Sequence, residues 1–417
     1  MTGPQAASRG GAGGWQAVVL VFLPFAGGYF LSYLFRSVNA VISGRLTDDL
    51  GLSATDLGLL TAAYFLTFAA FQVPLGMLLD RFGPRRVQSV LLLFAAAGAV
   101  LFAYGESRDT LLLGRALIGL GVAGGLMASF KAIVLWFPEA RWPLVNGAFV
   151  AMGGLGAMAA TQPVELAMHA LSWREVFLVL AGLTVLVALT IRLVVPEREG
   201  GAARQTAKQQ LRGVAEVFRS GYFWALAPVT CLTVSAGMAL QGLWAGPWLR
   251  DVAGFDEAGM ASQLFVIAAG LTVGSLMIGV TADLAQRAGI PLIRVIGIGV
   301  PLFFLAQILI ILEVAPRGGW LWPFFTLTSN VAMLAYPLYS SHFGLALSGR
   351  ANTAINMLAF FAAFGYQAAV GVILDFWEPV EGVFPAEAYQ SAFIACLAVQ
   401  LLAFGWFLLR LPRLRKP

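Results

Sequence analysis

Charge is scarce in this sequence, and so are the residue patterns that mark most catalytic sites. Only 11% of the 417 residues are Asp, Glu, Lys or Arg, against roughly a quarter in an ordinary soluble domain. There are two histidines, and the patterns HExxH, GxSxG and GxxxxGK(S/T) are all missing. These absences exclude the zinc-protease, serine-hydrolase and P-loop ATPase classes. We therefore predict that the chain is not an enzyme and binds no cofactor.

Cysteine is equally rare. Cys231 and Cys396 lie in separate apolar runs, which excludes a disulfide framework and a CxxC zinc site. The 11 methionines and the two histidines form no repeated MxxxM or HxxxM pattern, and methionine commonly packs apolar helices without a metal. We therefore predict no metal site, and copper transport is kept only as an alternative.

Long apolar runs dominate what is present. Hydrophobic residues make up 59% of the chain, and a membrane-crossing helix needs about 20 apolar residues. Twelve such runs occur, in two sets of six. The first set covers residues 16–44, 54–79, 87–104, 109–136, 143–168 and 174–195. The second covers 220–248, 259–282, 291–313, 320–343, 351–376 and 388–410.

The runs predict an all-α polytopic membrane protein with twelve transmembrane helices in two six-helix bundles. "DDLG" at 48–51 and "GMLLD" at 76–80 recur as "DVAG" at 251–254 and "GVTAD" at 279–283, both at an offset of 203. Two landmarks at one offset indicate a parallel repeat. The predicted segments are a flexible N-terminus 1–14, an N-terminal bundle 15–196, a cytoplasmic linker 197–219, a C-terminal bundle 220–411 and a basic tail 412–417.

Loop charge predicts the orientation. With the N-terminus inside, the cytoplasmic segments hold 18 basic residues and the outer loops hold five. This asymmetry places both termini in the cytoplasm of a protein of the plasma (cell inner) membrane. It also accounts for the net charge of +5 without nucleic acid, which we do not expect as a partner. We expect a monomer in the lipid bilayer.

Three basic residues remain inside the spans: Arg36, Arg115 and Lys131. At helical spacing, Arg36 shares a polar stripe with Tyr33 and Asn39. It lies nine residues from Arg45, about 13 Å at ~1.5 Å per residue, which is near the midplane. A helix lining a water-filled cavity needs such a stripe, although an internal structural partner would also explain it.

The other two basic residues have open alternatives. Lys131 shares a helix face with small residues and is predicted to line the cavity, but it lies five residues before Trp136 and could equally snorkel to the membrane surface. Arg115 lies near the outer end of its span, and we interpret it as structural or coupling machinery.

Carboxylates are almost absent from the spans. Asp80 and Asp283 belong to inner loops, and Glu165 lies at an outer span end near His169. A cavity with Arg36 and no counter-charge attracts anions. Glu165 and His169 form the candidate protonatable pair for coupling, with an outer-surface ion pair as the alternative.

Uncharged polar and aromatic side chains lie inside spans of the second half. They are Gln241, Trp244, Asn330, Tyr336 and Asn356. We predict that they bind the non-anionic part of a substrate, although packing would explain each one singly.

Two motifs connect the chain with a known family. "GMLLDRFGPRRV" at 76–87 places Gly76, Asp80, Arg81, Gly83, Arg85 and Arg86 in the loop after the second span, and "GRALIGLGVAGG" at 114–125 joins Arg115 to spaced glycines such as Gly119. Both resemble signatures of the major facilitator superfamily. The resemblance implies a transporter in which these residues, with Asp283 in the second half, serve gating and helix packing.

A shorter resemblance bears on the substrate. "YLFRSVN" at 33–39 is similar to the first-helix segment of the organophosphate and organic-anion transporters. It implies that Arg36, with Tyr33, binds an anionic group. We predict a secondary active transporter of a small organic anion, a carboxylate or phosphate ester, working by alternating access with a co-transported proton or counter-ion. The alternatives are drug or metabolite efflux, copper or peptide transport, and a non-transporting receptor.

Overall fold

A computed structural model describes residues 14–138, 141–197 and 207–414 of the chain. Of the segments defined above, residues 1–13 of the N-terminus, 198–206 of the linker and 415–417 of the tail lie outside the described residues. The described part is almost wholly helical and contains no strand, only an isolated bridge between Val380 and Val383.

The helices form twelve membrane-crossing runs, which we number α1 to α12. The first six are α1 (14–50), α2 (54–82), α3 (84–103), α4 (Arg108–Trp136), α5 (142–167) and α6 (Trp173–Val194). The linker helix Ala207–Arg219 follows. The last six are α7 (Gly221–Asp251), α8 (Glu257–Arg287), α9 (Leu292–Ile311), α10 (321–343), α11 (345–374) and α12 (Ala386–Leu414).

Nine continuous helices of the described ranges are long and apolar enough to cross a membrane. One of them, Ala54–Ala103, is divided into α2 and α3 at Gly83. The remaining two runs are interrupted: α5 breaks between Trp142–Ala159 and Gln162–Ala167, and α10 contains the 3₁₀ turn Asn330–Leu334. The predicted fold class of twelve helices in two bundles is confirmed.

Several helices begin where the sequence supplies a capping side chain. Ser53 and Ser172 form capping boxes with Asp56 and Glu175 at the starts of α2 and α6. Asp256 accepts a hydrogen bond from the Gly259 amide at the start of α8. These side chains satisfy amides that the first helical turn leaves unpaired, so the helix starts are specified locally.

Equivalent contacts support the parallel repeat. In the N-terminal half, the Trp173 indole of α6 donates to Asp49 Oδ2 at 2.6 Å, at the end of α1. In the C-terminal half, the Tyr389 hydroxyl of α12 donates to Asp251 Oδ2 at 2.6 Å, at the end of α7. Each half therefore ties its last helix to its first at the same end.

The helix ends and the loops between them lie at two opposite ends of the bundles. We call the end that carries residues 14 and 414 the terminal face, and the other end the opposite face. The α2–α3, α4–α5 and α8–α9 loops lie on the terminal face, whereas the α1–α2, α7–α8 and α11–α12 loops lie on the opposite face. This alternation is the one predicted from the span count.

Gly83 carries the turn between α2 and α3. Its φ of 77° and ψ of 163° lie in a region that is essentially restricted to glycine, where another residue costs about 1 to 3 kcal/mol. A Cβ at this position would meet no atom within 4 Å, so the expected cost is one of backbone strain alone.

We expect Gly83→Ala to lower the thermal unfolding midpoint of the protein in detergent by a few degrees. Gly76→Ala is the matched control, because a Cβ there also meets nothing within 4 Å while its backbone is helical, and alanine at such a site is neutral or stabilising. Equal midpoints for the two variants would show that the turn does not depend on glycine.

Candidate functional site

A cavity of about 350 Å³ lies between the two bundles. It is lined by α1, α2, α4 and α5 of the first half and by α7, α8, α10 and α11 of the second. Cavities between the helices of paired bundles commonly bind small molecules, so this cavity is the candidate functional site.

Arg36 lines this cavity and forms no ion pair within the part of the chain that the structure describes. Its guanidinium carbon lies 4.4 Å from the ring centre of Tyr33, 5.2 Å from that of Phe360 and 5.8 Å from that of Phe68. No ion pair found among the described residues includes Arg36, and its Nε is buried without a hydrogen-bond partner. Of the described residues that line the cavity, Arg36 alone is charged.

Neighbouring helices hold the backbone of α1 on both sides of Arg36. The Tyr64 hydroxyl of α2 donates to the Ser32 carbonyl at 3.2 Å, and Arg115 of α4 donates to the Phe35 carbonyl at 2.9 Å. Arg115 is fully buried, and its guanidinium lies 5.2 Å from the Tyr64 ring centre. It does not line the cavity, and its role as structural or coupling machinery stays a prediction.

Gly119 brings α4 close to α2 beside these contacts. A Cβ at Gly119 would meet the carbonyl oxygen of Tyr64. A small residue here therefore lets the two helices pack at the backbone, and this packing helps to keep Tyr64 and Arg115 next to α1.

Four of the five polar or aromatic residues predicted in the second half line the cavity. They are Gln241, Asn330, Tyr336 and Asn356. Gln241 lies in the π turn Leu240–Trp244 of α7, and π turns often occur at functional sites. Tyr336 donates to Asn356 Oδ1 at 3.5 Å, so the two side chains are adjacent.

Two residues predicted to bind substrate lie elsewhere. Trp244 is 1% exposed and packs against Gly58 of α2, beyond the lining of the cavity. Asn39 is also buried, and its amide nitrogen donates to the Thr61 hydroxyl at 2.9 Å. Both side chains therefore lie where two helices pack together. For Asn39, the reason is that the polar stripe of α1 continues past the end of the cavity.

Lys131 is also placed outside the cavity lining. Its Nζ lies 2.5 Å from Asp80 Oδ1 and 2.8 Å from the Leu79 carbonyl oxygen, at the end of α2 on the terminal face. Of the two alternatives for Lys131, this position corresponds to the one in which the side chain extends towards the membrane surface. The prediction that it lines the cavity does not agree with this placement.

The signature loop between α2 and α3 is fixed by its basic residues. Arg85 donates to the Arg192 carbonyl from Nε at 3.0 Å and lies 3.6 Å from Glu197, which also pairs with Arg86. The loop is therefore held to the end of α6. The guanidinium carbon of Arg81 lies 5.0 Å from the ring centre of Phe82.

Asp283 occupies the equivalent position in the second half, and it pairs with Arg287 of its own helix at 2.8 Å. These contacts are compatible with a gating role for the loop, which remains a prediction.

Glu165 and His169 form the pair that their spacing predicted, with Nε2 and Oε1 2.7 Å apart. The Glu165 side chain is 6% exposed and His169 is 65% exposed. They belong to the short segment Gln162–Ala167 and the residues after it, on the opposite face, and neither lines the cavity.

The opposite face closes the cavity through contacts that the sequence did not indicate. Phe68 of α2 stacks on Phe360 of α11 with ring centres 4.1 Å apart. Beyond this stack, a Cβ at Gly58 would lie 2.5 Å from the Gln367 carbonyl oxygen, so α2 and α11 touch backbone to backbone. The cavity is therefore sealed from this side.

Polar contacts between the bundles strengthen the seal. Asp375 at the end of α11 accepts hydrogen bonds from the Ala54 and Thr55 amides at 3.1 and 2.9 Å, which caps α2 from the other bundle. Arg45 pairs with Glu257 at 2.8 Å across the same gap. These contacts must separate if the opposite face is to open.

Comparison with known proteins gives the family. A model of the Major Facilitator Superfamily matches residues 25–366. The chain belongs to this superfamily. It is therefore a multi-pass membrane protein of a transporter family, as the two motifs of the first half implied.

The individual relatives have low sequence identity to this chain. A probable sulfoacetate transporter of Cupriavidus necator is 28% identical over 277 residues, which cover 63% of this chain and 64% of that protein. A hexuronate transporter of Escherichia coli K12 is 24% identical over 289 residues, 66% of each chain. The chain thus matches somewhat less than two thirds of the length of these relatives.

A solved structure confirms the fold. A bacterial homologue of the human lysosomal transporter Spinster, in an inward-facing and unoccupied conformation, superposes with a TM-score of 0.78 and 18% identity, covering 96% of this chain and 97% of that one. At this identity the likeness concerns the fold alone.

Proposed function

We propose that this superfamily member is a secondary active transporter that moves a small organic anion, a carboxylate or phosphate ester, across the plasma (cell inner) membrane by alternating access. The observation that carries the proposal is the guanidinium of Arg36, which forms no ion pair with the described residues and lines a cavity shared by both bundles. Uncompensated charge at the bilayer centre costs at least about 2.5 to 3.5 kcal/mol. A bound anion removes this cost.

The relatives support an organic anion as substrate. The sulfoacetate and hexuronate transporters, and a galacturonate transporter of Dickeya chrysanthemi that is 26% identical over 229 residues, are all named for organic anions. A cationic drug is disfavoured, because Arg36 would repel it and no carboxylate belongs to the described lining of the cavity.

The proposed orientation follows from charge and from the closed opposite face. The terminal face carries most of the basic residues, which places it in the cytoplasm by the positive-inside rule. The described conformation then has its outer side closed by the Phe68–Phe360 stack. Glu165 and His169 remain the candidate pair for coupling to a proton.

The proposal is tested by a thermal-shift panel on the purified full chain in detergent, using carboxylates, phosphate esters, peptides and organic cations at fixed salt. We expect stabilisation by anions only, since a ligand that binds the native state raises its midpoint. A rise with cations and none with anions would contradict the proposal. Uptake of the stabilising anion into proteoliposomes then separates a transporter from a receptor.

A further inference from the structure

We infer that the substrate is a hydroxylated monocarboxylate of the sugar-acid class, with its carboxylate on Arg36 of the N-terminal bundle and its hydroxyl groups on Gln241 and Asn356 of the C-terminal bundle. This inference rests on the proposed function and narrows it. It follows from two features of the cavity. One is the number of charged residues in its described lining, and the other is that some lining polar groups already form hydrogen bonds within the protein whereas others do not.

The charge count favours a single negative charge. Arg36 is the charged residue of the described cavity lining, and the nearest alternatives are committed elsewhere. Lys131 pairs with Asp80, and Arg115 is buried against the Phe35 carbonyl. A second anionic group would therefore enter an aromatic-walled cavity without a partner, which is unfavourable. Phosphate monoesters carry about −1.5 to −2 charges at neutral pH and are disfavoured on this ground.

Three of the five serine and threonine hydroxyls in the described cavity wall are already bonded to helix carbonyls. Thr272 donates to Ala268, Ser275 to Leu271 and Ser329 to Thr326, at 2.8 to 2.9 Å. These side chains satisfy their donors within their own helices. They add polarity to the wall but little hydrogen-bonding capacity for a ligand.

Two primary amides are different. Gln241 makes no side-chain hydrogen bond with any described residue, and Asn356 only accepts the 3.5 Å bond from Tyr336. Each amide offers two donor hydrogens and an acceptor oxygen. A hydroxyl group, which donates and accepts, matches this pattern, whereas an alkyl chain would leave the amides unpaired at the protein–ligand contact.

The two features lie on different bundles. Arg36 belongs to α1, and Gln241 and Asn356 belong to α7 and α11. A ligand with a carboxylate at one end and hydroxyl groups along its length therefore contacts both halves at once. A smaller or unsubstituted acid would engage Arg36 alone.

The test measures equilibrium binding to the purified full chain by calorimetry at fixed salt, with four probes. D-Galacturonate has one charge and several hydroxyl groups, hexanoate has the charge without hydroxyl groups, D-galactose has hydroxyl groups without charge, and sulfoacetate has two charges. We expect D-galacturonate to bind at least tenfold more tightly than each of the other three.

Variants connect the preference with the named residues. Asn356→Leu and Gln241→Leu should each reduce the galacturonate-to-hexanoate ratio about tenfold while hexanoate affinity stays the same. The matched control is Asn352→Leu, one turn away on α11, because Asn352 donates to Ser340 and is not part of the cavity lining. It should leave the ratio unchanged.

The outcomes separate the inference from the function on which it rests. Sulfoacetate or hexanoate binding as tightly as galacturonate, or a ratio that neither amide variant changes, overturns the sugar-acid inference while anion binding stands. Failure of these three acids and of every carboxylate and phosphate ester of the thermal-shift panel to bind the folded parent protein overturns the proposed function itself.

Discussion

Replacing Arg36 with glutamine is expected to weaken anion binding roughly ten- to a hundredfold, because a charge-assisted contact of about 1.5 to 3 kcal/mol is lost. Arg36→Lys should restore only part of the affinity, since an ammonium group lacks the planar two-pronged donor of a guanidinium. The measurement is the dissociation constant of the best anion at fixed salt, determined by calorimetry on folded, monodisperse protein.

Lys131→Gln provides the matched control for this prediction. It removes the same charge from the same half, but Lys131 pairs with Asp80 at the terminal face and does not line the cavity. We expect its anion affinity to stay within about threefold of the parent. Equal losses for the two variants would mean that overall positive charge, and not the position of Arg36, determines binding.

The second large effect concerns the closed opposite face. Gly58 lets α2 touch the backbone of α11 at Gln367. Gly246 lets α7 touch the backbone of α1 at Ala40. A methyl group at either glycine overpacks this contact by about 1 to 3 kcal/mol, which shifts a two-state equilibrium about 5- to 150-fold. We expect Gly58→Ala and Gly246→Ala to depopulate the state described above and to slow transport while anion binding persists.

Spin-label distances report this shift directly. Glu106→Cys and Glu378→Cys place labels on exposed loops of the two halves at the opposite face, in a background without the buried Cys231 and Cys396. The distance distribution should move to longer values in each glycine variant. Gly365→Ala on α11 is the control, because a Cβ there meets nothing within 4 Å. A longer distance in the control would contradict the role assigned to the contacts.

The fold could be predicted from the sequence because its main determinants are local. Apolar length specifies a crossing helix, and capping residues such as Ser53 and Ser172 specify where helices begin. The positions of the interruptions in α5 and α10 do not follow from the count of apolar residues, since Thr161 and the turn at Asn330–Leu334 lie within runs that are long enough to cross a membrane as single helices.

The site could be predicted only in part. Arg36 was identifiable because a charge in an apolar helix requires an explanation, whatever surrounds it. The placement of Lys131 depends on Asp80, 51 residues away, and that of Asn39 depends on Thr61, so helix periodicity alone does not determine either. The Phe68–Phe360 stack was missed because phenylalanine is common in every span.

The most direct test of the central claim, that the anion binds beside Arg36 in the shared cavity, is protection of a cysteine placed there. Ser37 lines the cavity next to Arg36, so Ser37→Cys should react with a neutral maleimide, and saturating D-galacturonate should slow this reaction at least tenfold. When Arg36→Gln is added, the galacturonate concentration that gives half-maximal protection should rise about ten- to a hundredfold. Equal protection with and without Arg36, or none in either protein that still binds galacturonate, would contradict the account.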